Sequence, residues 1–220
     1  RGNEADALEL LMKTMGFQHS GTHIAKNLAL WTQGDIRIVV NREATGYASS
    51  AYTTHGTTVC DIGISVNDAA QAVERAQKLG ADAFSQPIGP GELDIPAIRG
   101  LSGSVLHFID DTSGLNDVWS VEFTATATLG SDAGLKRIDH LAQTMSYDEM
   151  LTWSLFYTTL FQMQKSPMVD VIDPDGLVRS QALETVDGAF RITLNGAETH
   201  RTMAGNFLAD SFGASVQHIA

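Results

Sequence analysis

Apolar residues recur at helical spacing over Glu4 to Met15, where Ala7, Leu8, Leu10, Leu11 and Met15 share a face, and Gly16 supplies a stop. The period then falls to two. Gln18 to Ile24 reads as a strand, and Leu28 to Asn41 as two more, with Leu28, Leu30, Ile36, Ile38 and Val40 alternating around a Gln33-Gly34-Asp35 turn. Arg42 to Gly56 is polar and small, a short helix or a loop. The order then repeats: a β-branched strand over Thr57 to Val66, a helix from Asn67 or Asp68 through Leu79 closed by Gly80, and strands over Ala83 to Ile88, Ile95 to Leu101 and Gly103 to Ile109. Gly100 to Ser104 fits a hairpin turn, since it matches neither a phosphate loop nor a nucleophile elbow.

A third round follows. The alternation predicts a strand over Arg137 to Ala142 and a helix over Tyr147 to Phe161 with Met150, Leu151, Ser154, Leu155, Thr158 and Leu160 near one face. Strands come next at Val169 to Ile172, Leu177 to Glu184 and Ala189 to Asn195, the last two joined through Asp187-Gly188. A helix over Thr202 to Ser211 leads to a last strand, Ser215 to Ala220. The fold class expected is α+β: tandem βαβββ units, mixed sheets with helices on the outer face. The first unit lacks an opening strand and the fourth is only begun, so the chain reads as a piece of a longer protein. Three regions are expected: an N-terminal domain over 1–124, a linker over 125–134 in the small, polar Ala125 to Gly134 stretch, and a C-terminal metal-site domain over 135–220.

Composition narrows the function. With 43% hydrophobic and 18% charged residues the chain can bury a core. Its formal charge of -12, with 14 scattered Lys and Arg, argues against nucleic acid and against an acidic membrane surface. No apolar run approaches the ~20 residues that span a bilayer. The one cysteine, Cys60, lies in a β-rich run, reads as core and fits a cytoplasmic setting.

Candidate chemistry gathers on histidines. His140 and His218 each open a repeat, and the opening strands of paired βαβββ units come together, so both can face one cavity. Imidazole suits Fe, Zn, Mn and Co, and two histidines with a carboxylate make a common non-haem iron site; without the carboxylate a structural role stays open. His19 and His23 are spaced i, i+4 in strand and turn rather than helix, and they, His55 and His107 read as structural, His200 as exposed. Asp110-Asp111 reads as a strand end. Ser180 and Asn195 fall opposite each other in a hairpin centred on Asp187-Gly188, either as a surface pair or facing the cavity of His140.

Several segments in order carry a resemblance. Leu30-Trp31-Thr32-Gln33-Gly34-Asp35-Ile36, Gly89-Pro90-Gly91-Glu92, Ile95 to Gly100, Ile138-Asp139-His140, Gly176 to Ser180 and Val216 to Ala220 resemble the vicinal oxygen chelate superfamily, within it the 4-hydroxyphenylpyruvate dioxygenase-like group. The resemblance implies metal ligation by His140 and His218, a third ligand, a glutamate, beyond Ala220, and substrate contacts from Ser180 and Asn195. The dioxygenases carry Pro-Ile-Asn-Glu where this chain has Thr193-Leu194-Asn195-Gly196. The Asp173 to Ser180 run and the stretch before His140 look more similar to the C-terminal region of bacterial 3-dehydroshikimate dehydratases, fusions in which a separate metal-dependent TIM barrel forms protocatechuate. Implied cofactors are Fe(II) for a dioxygenase, and otherwise Mn, Mg or Co in the parent protein. Implied partners are a cyclic or aromatic acid substrate and further copies of the chain in a homo-oligomer. No residue is assigned a catalytic role, and a fragment of this kind is expected to be inactive alone. A non-catalytic binding or oligomerisation module is the third reading.

Overall fold

The computed structural model describes residues 2–126 and 132–220, so residues 127–131 of the expected linker lie outside the described residues. Helix α1 (Gly2–Thr14) precedes strands β1 (Gln18–His23), β2 (Leu28–Gln33) and β3 (Ile36–Asn41). Helix α2 (Gly46–His55) leads to β4 (Asp61–Ser65), α3 (Ala69–Lys78), β5 (Ala83–Phe84), β6 (Ala97–Arg99) and β7 (Val105–Ile109). A short α4 (Val118–Val121) and β8 (Phe123–Ala125) close the first half. The second half holds β9 (Leu141–Ser146), α5 (Met150–Phe161), β10 (Gln164–Lys165), β11 (Val169–Asp173), β12 (Gly176–Glu184), β13 (Arg191–Ala197), α6 (Met203–Asp210) and β14 (Ser215–Ile219).

The repeat is visible in the pairing. β4 lies parallel to β7 in a sheet ordered β4-β7-β6-β5, and β9 lies parallel to β13 beside β12 and β11. In each case a strand crosses through a helix to lie beside the last of three antiparallel strands, the βαβββ unit expected. The remaining sheet runs β3-β2-β1-β8. β14 adds antiparallel to β9, joining the opening strands of two successive units.

Some local readings change. The stretch from residue 132 to His140 is irregular, and the strand begins at Leu141 rather than Arg137. Charged Lys136, Arg137 and Asp139 stay exposed there, leaving nothing for a sheet face to bury. α1 buries Met12 and packs Ala5 and Leu8 on the core, while Leu10 and Leu11 face outward. α5 buries Met150, Ser154 and Tyr157, not Leu151 and Leu155, and its buried face shares the core with Leu183, Ile192 and Leu194. Predicted strands of six or more residues shrink to β5 and β6, since turn-rich Gly89 to Pro96 separates them.

One core spans both halves. Ile98, Leu106 and Phe108 of the second sheet share it with Met145, Tyr157, Leu183, Ile192 and Leu194 of the third, and α5 lies between them with Phe161 6.0 Å from Phe108. Asp110, read as a strand end, instead caps α3: it is 4% exposed and accepts from the Ala69 N–H and from both donors of Ser113. The Ser113 hydroxyl first, then the two N–H groups, hold its carboxylate down to about 2, with burial opposing them. An unfolded aspartate takes up its proton near ~3.9, so this contribution is complete above that pH and is lost as pH falls toward the folded value. Asp110→Asn should therefore unfold at lower urea than the parent chain at pH 7, and the gap between them should close between pH 4 and 2. A gap independent of pH would contradict the assignment.

Candidate metal centre

His140 stands one residue before β9, and its carbonyl accepts from the Ala220 N–H while Ala220 O accepts from Asp139 N–H at 2.7 Å. The ladder between β9 and β14 thus runs past the end of the strand. In β14 the register slips between Val216 and His218, so Gln217 is an extra residue. A bulge of this kind keeps His218 on the face of Ser215, where strict alternation would have turned it over. The two imidazoles meet edge to face, ring centres 5.6 Å apart. Two imidazoles sharing an ion at ~2.1 Å from each nitrogen would have centres roughly 5 Å apart, a spacing near the one seen here.

The surroundings fit a ligand pair. Asp139 Oδ2 accepts from His140 Nδ1–H at 2.9 Å, which leaves the Nε2 lone pair free. Arg191 fixes Asp139 in turn, at 2.9 and 3.1 Å, and also meets Glu184 at 3.0 Å. The Asp139 carboxyl sits below its ordinary range because His140 and Arg191 donate to it, against the cost of burial. Asp139 and Glu184 are therefore both committed to Arg191. Among the described residues no group of three His, Cys, Asp or Glu is placed to hold a metal.

Ser180 pairs with Asn195 across β12 and β13, Asn195 with Thr144 of β9, and Thr144 with Ser215 of β14. Alternation puts these four on one face with Ala142 and His218. The opposite face carries Leu183, Ile192, Leu194 and Met145 against α5. α6 covers the far end of the polar face, where Ala204 and Leu208 pack on Val178 and Ala197. The polar row thus lies between a helix and the histidine pair, open at the histidine end, where His140 is half-buried and His218 exposed. Thr144 Oγ1 donates to Gln217 Oε1 at 3.0 Å and so pins the bulge. Sequence reasoning passed over Asp139, Arg191 and Gln217 as site residues. The adjacent polar pair Gln217-His218 was the signal for a bulge; Arg191 carries none.

His23, His55 and His107 are each held by a partner in the fold. His23 accepts from the Ala25 and Lys26 N–H groups at Nδ1, so its Nε2–H donates to buried Glu122 at 3.0 Å. His55 bonds Ser211 O at 2.6 Å from the end of α2, and His107 bonds Asp61 at 2.8 Å. His200 is exposed.

Residues 1–124 match the family described as "Hydroxyphenylpyruvate dioxygenase, HPPD, N-terminal". The chain is 34% identical over 209 residues to the 3-dehydroshikimate dehydratase of Pseudomonas aeruginosa, covering 95% of this chain and 33% of that protein. It is 33% identical to the 4-hydroxyphenylpyruvate dioxygenase of a Pseudomonas species, over 98% of this chain and 61% of the other. A solved "xylose isomerase-like TIM barrel/4-hydroxyphenylpyruvate dioxygenase fusion protein" superposes with a TM-score of 0.81 at 29% identity, over 98% of this chain and 34% of that one. The chain therefore spans about a third of the dehydratase and about three fifths of the dioxygenase.

Proposed function

The chain belongs to the hydroxyphenylpyruvate dioxygenase family, and from that premise we propose that it is the dioxygenase-like region of a 3-dehydroshikimate dehydratase. In that reading a separate barrel of the parent converts 3-dehydroshikimate to protocatechuate. The observation that carries it is the span: 95% of this chain aligns to a third of the dehydratase, as 98% superposes on a third of the barrel fusion. The division into 1–124, a linker over 125–134 and 135–220 goes with the proposal. The parent is proposed as a cytoplasmic enzyme of small cyclic or aromatic acids; among the described residues no helix is long and apolar enough to cross a membrane.

A second reading has its own observation. The His140–His218 pair shares a face with Ser180 and Asn195, as an Fe(II)-dependent 4-hydroxyphenylpyruvate dioxygenase forming homogentisate would require. An ion bound there would supply Lewis acidity to a chelating acid. The chain's own part is to aim two imidazole nitrogens, one fixed by Asp139, and to offer a hydroxyl and an amide to the acid's oxygens. A third ligand is not supplied by the described residues.

The complete gene product containing this chain, assayed with each substrate with and without a chelator, separates the readings. Protocatechuate formed from 3-dehydroshikimate at a rate unchanged by His140→Ala and His218→Ala is expected. Homogentisate formation with O₂ uptake, lost in both variants, would replace it with the dioxygenase. Turnover of neither acid would leave a non-catalytic binding or oligomerisation module.

A further inference from the structure

α5 turns Met150, Ser154 and Tyr157 inward, yet Leu151 and Leu155, one turn apart on its outer side, are 66% and 51% exposed. A helix with apolar residues on every side belongs in an enclosed place. Beside these leucines lies a groove of about 510 Å³, lined by Leu155, Phe156 and Leu160 of α5 and by Leu79 and Ala81 from the turn after α3, with Leu79 itself 49% exposed. Arg75 of α3 donates to the carbonyls of Thr159 and Leu160 at 2.9 and 2.5 Å, so the end of α3 is tied to the end of α5 and the groove keeps its shape. Clustered exposed apolar side chains of this kind mark a contact surface.

Charge and shape select what covers it. The chain carries a formal charge of -12, so a partner recognised through charge would be met by carboxylates; from Met150 to Gln164 there is no charged residue of either sign, and the groove's two ionic residues, Asp82 and Arg99, cancel. Two copies of so acidic a chain repel each other wherever carboxylates face one another. An uncharged apolar face is where they approach without that cost. Leu151, Leu155 and Thr159 also form an i±4 ridge, and the ridge runs beside the groove that Leu155 and Thr159 help to line. A ridge next to a groove is self-complementary: a twofold axis seats the ridge of each copy in the groove of the other and covers both in one isologous contact.

We propose that the outer face of α5 and the groove beside it form the contact between two copies of this chain, Leu151 of each entering the other's groove against Leu79. The contact draws on the second unit and the third, so pairing holds the two halves of the core together. It uses none of the metal-centre residues, goes beyond the function proposed above and holds for either substrate.

Sedimentation equilibrium of the 220-residue chain over a range of concentrations tests it, and a monomer–dimer equilibrium is expected. Leu151→Glu, Leu155→Glu and Leu79→Glu should each weaken the dimer by about tenfold or more, since each puts an unpaired carboxylate into a desolvated contact. Leu10→Glu on α1, a position as exposed as Leu151, should leave it unchanged. Urea midpoints of the dilute variants equal to that of the dilute parent show that each keeps its fold. Mixing the Leu151→Glu chain with the Leu79→Lys chain should restore association, because the new charges then meet across the contact. A chain that stays monomeric at every concentration leaves this face to another segment of the parent protein and overturns the proposal. So do an undiminished dimer in the folded α5 and Leu79 variants, an equal loss in Leu10→Glu, and a mixture that associates no more tightly than either variant alone.

Discussion

His218→Ala is expected to lower the chain's affinity for a divalent ion such as Co²⁺ by about 100-fold or more, and His140→Ala to do the same. Losing even an outer partner of a ligand typically costs 10–100-fold, and a direct ligand stands at or beyond the top of that range. The expectation rests on the 5.6 Å between the imidazole centres and on the Asp139 contact that leaves His140 Nε2 free. Asp139→Asn should then cost less, about 10-fold, because an amide oxygen still accepts from Nδ1–H but carries no charge. The double variant His140→Ala/His218→Ala should bind no worse than either single one, since one imidazole alone does not hold the ion. Exposed His200 serves as control, and His200→Ala should change nothing. Competition with a chromophoric chelator measures all of these. Affinity unaltered in both single variants would remove the metal centre from this place.

Much of this arrangement could be read before any coordinates. Period-two runs and their turn residues located β1, β2, β3, β12 and β13, and Asp187-Gly188 set the register that pairs Ser180 with Asn195. The repeat order predicted that β9 and β14 would be neighbours, as they are. What pattern could not carry was whatever depends on long-range contact. α5 is apolar nearly all round, so nothing local distinguishes the Met150 and Tyr157 face that the sheet buries from the Leu151 and Leu155 face left outside. Asp110 looked like a strand end because its partner Ala69 is far away in sequence.

Gly205→Ala is expected to destabilise the chain by about 3 kcal/mol, at the upper end of what overpacking costs. Helix propensity argues the reverse, since alanine in a helix interior gains about 1 kcal/mol over glycine. Here the local preference loses. A Cβ on Gly205 would overlap the Thr199 carbonyl oxygen and lie 2.7 Å from the His200 Cα, and both are backbone atoms that no rotamer change can move. The segment is also held from within, because Thr202, wholly buried, caps α6 by accepting from the Gly205 N–H at 3.0 Å. Relief requires α6 to shift away from the 199–202 turn, and α6 packs on β9 and β13 while leading directly into β14. The substitution should therefore weaken Co²⁺ binding as well as stability, through displacement of His218 rather than loss of a ligand. Gly46→Ala is the comparison, since its Cβ would meet nothing within 4 Å and its cost is confined to a φ of +78°. Urea unfolding and metal titration of the two variants test the point: a Gly205→Ala chain as stable as the parent would mean that α6 does not approach the turn this closely.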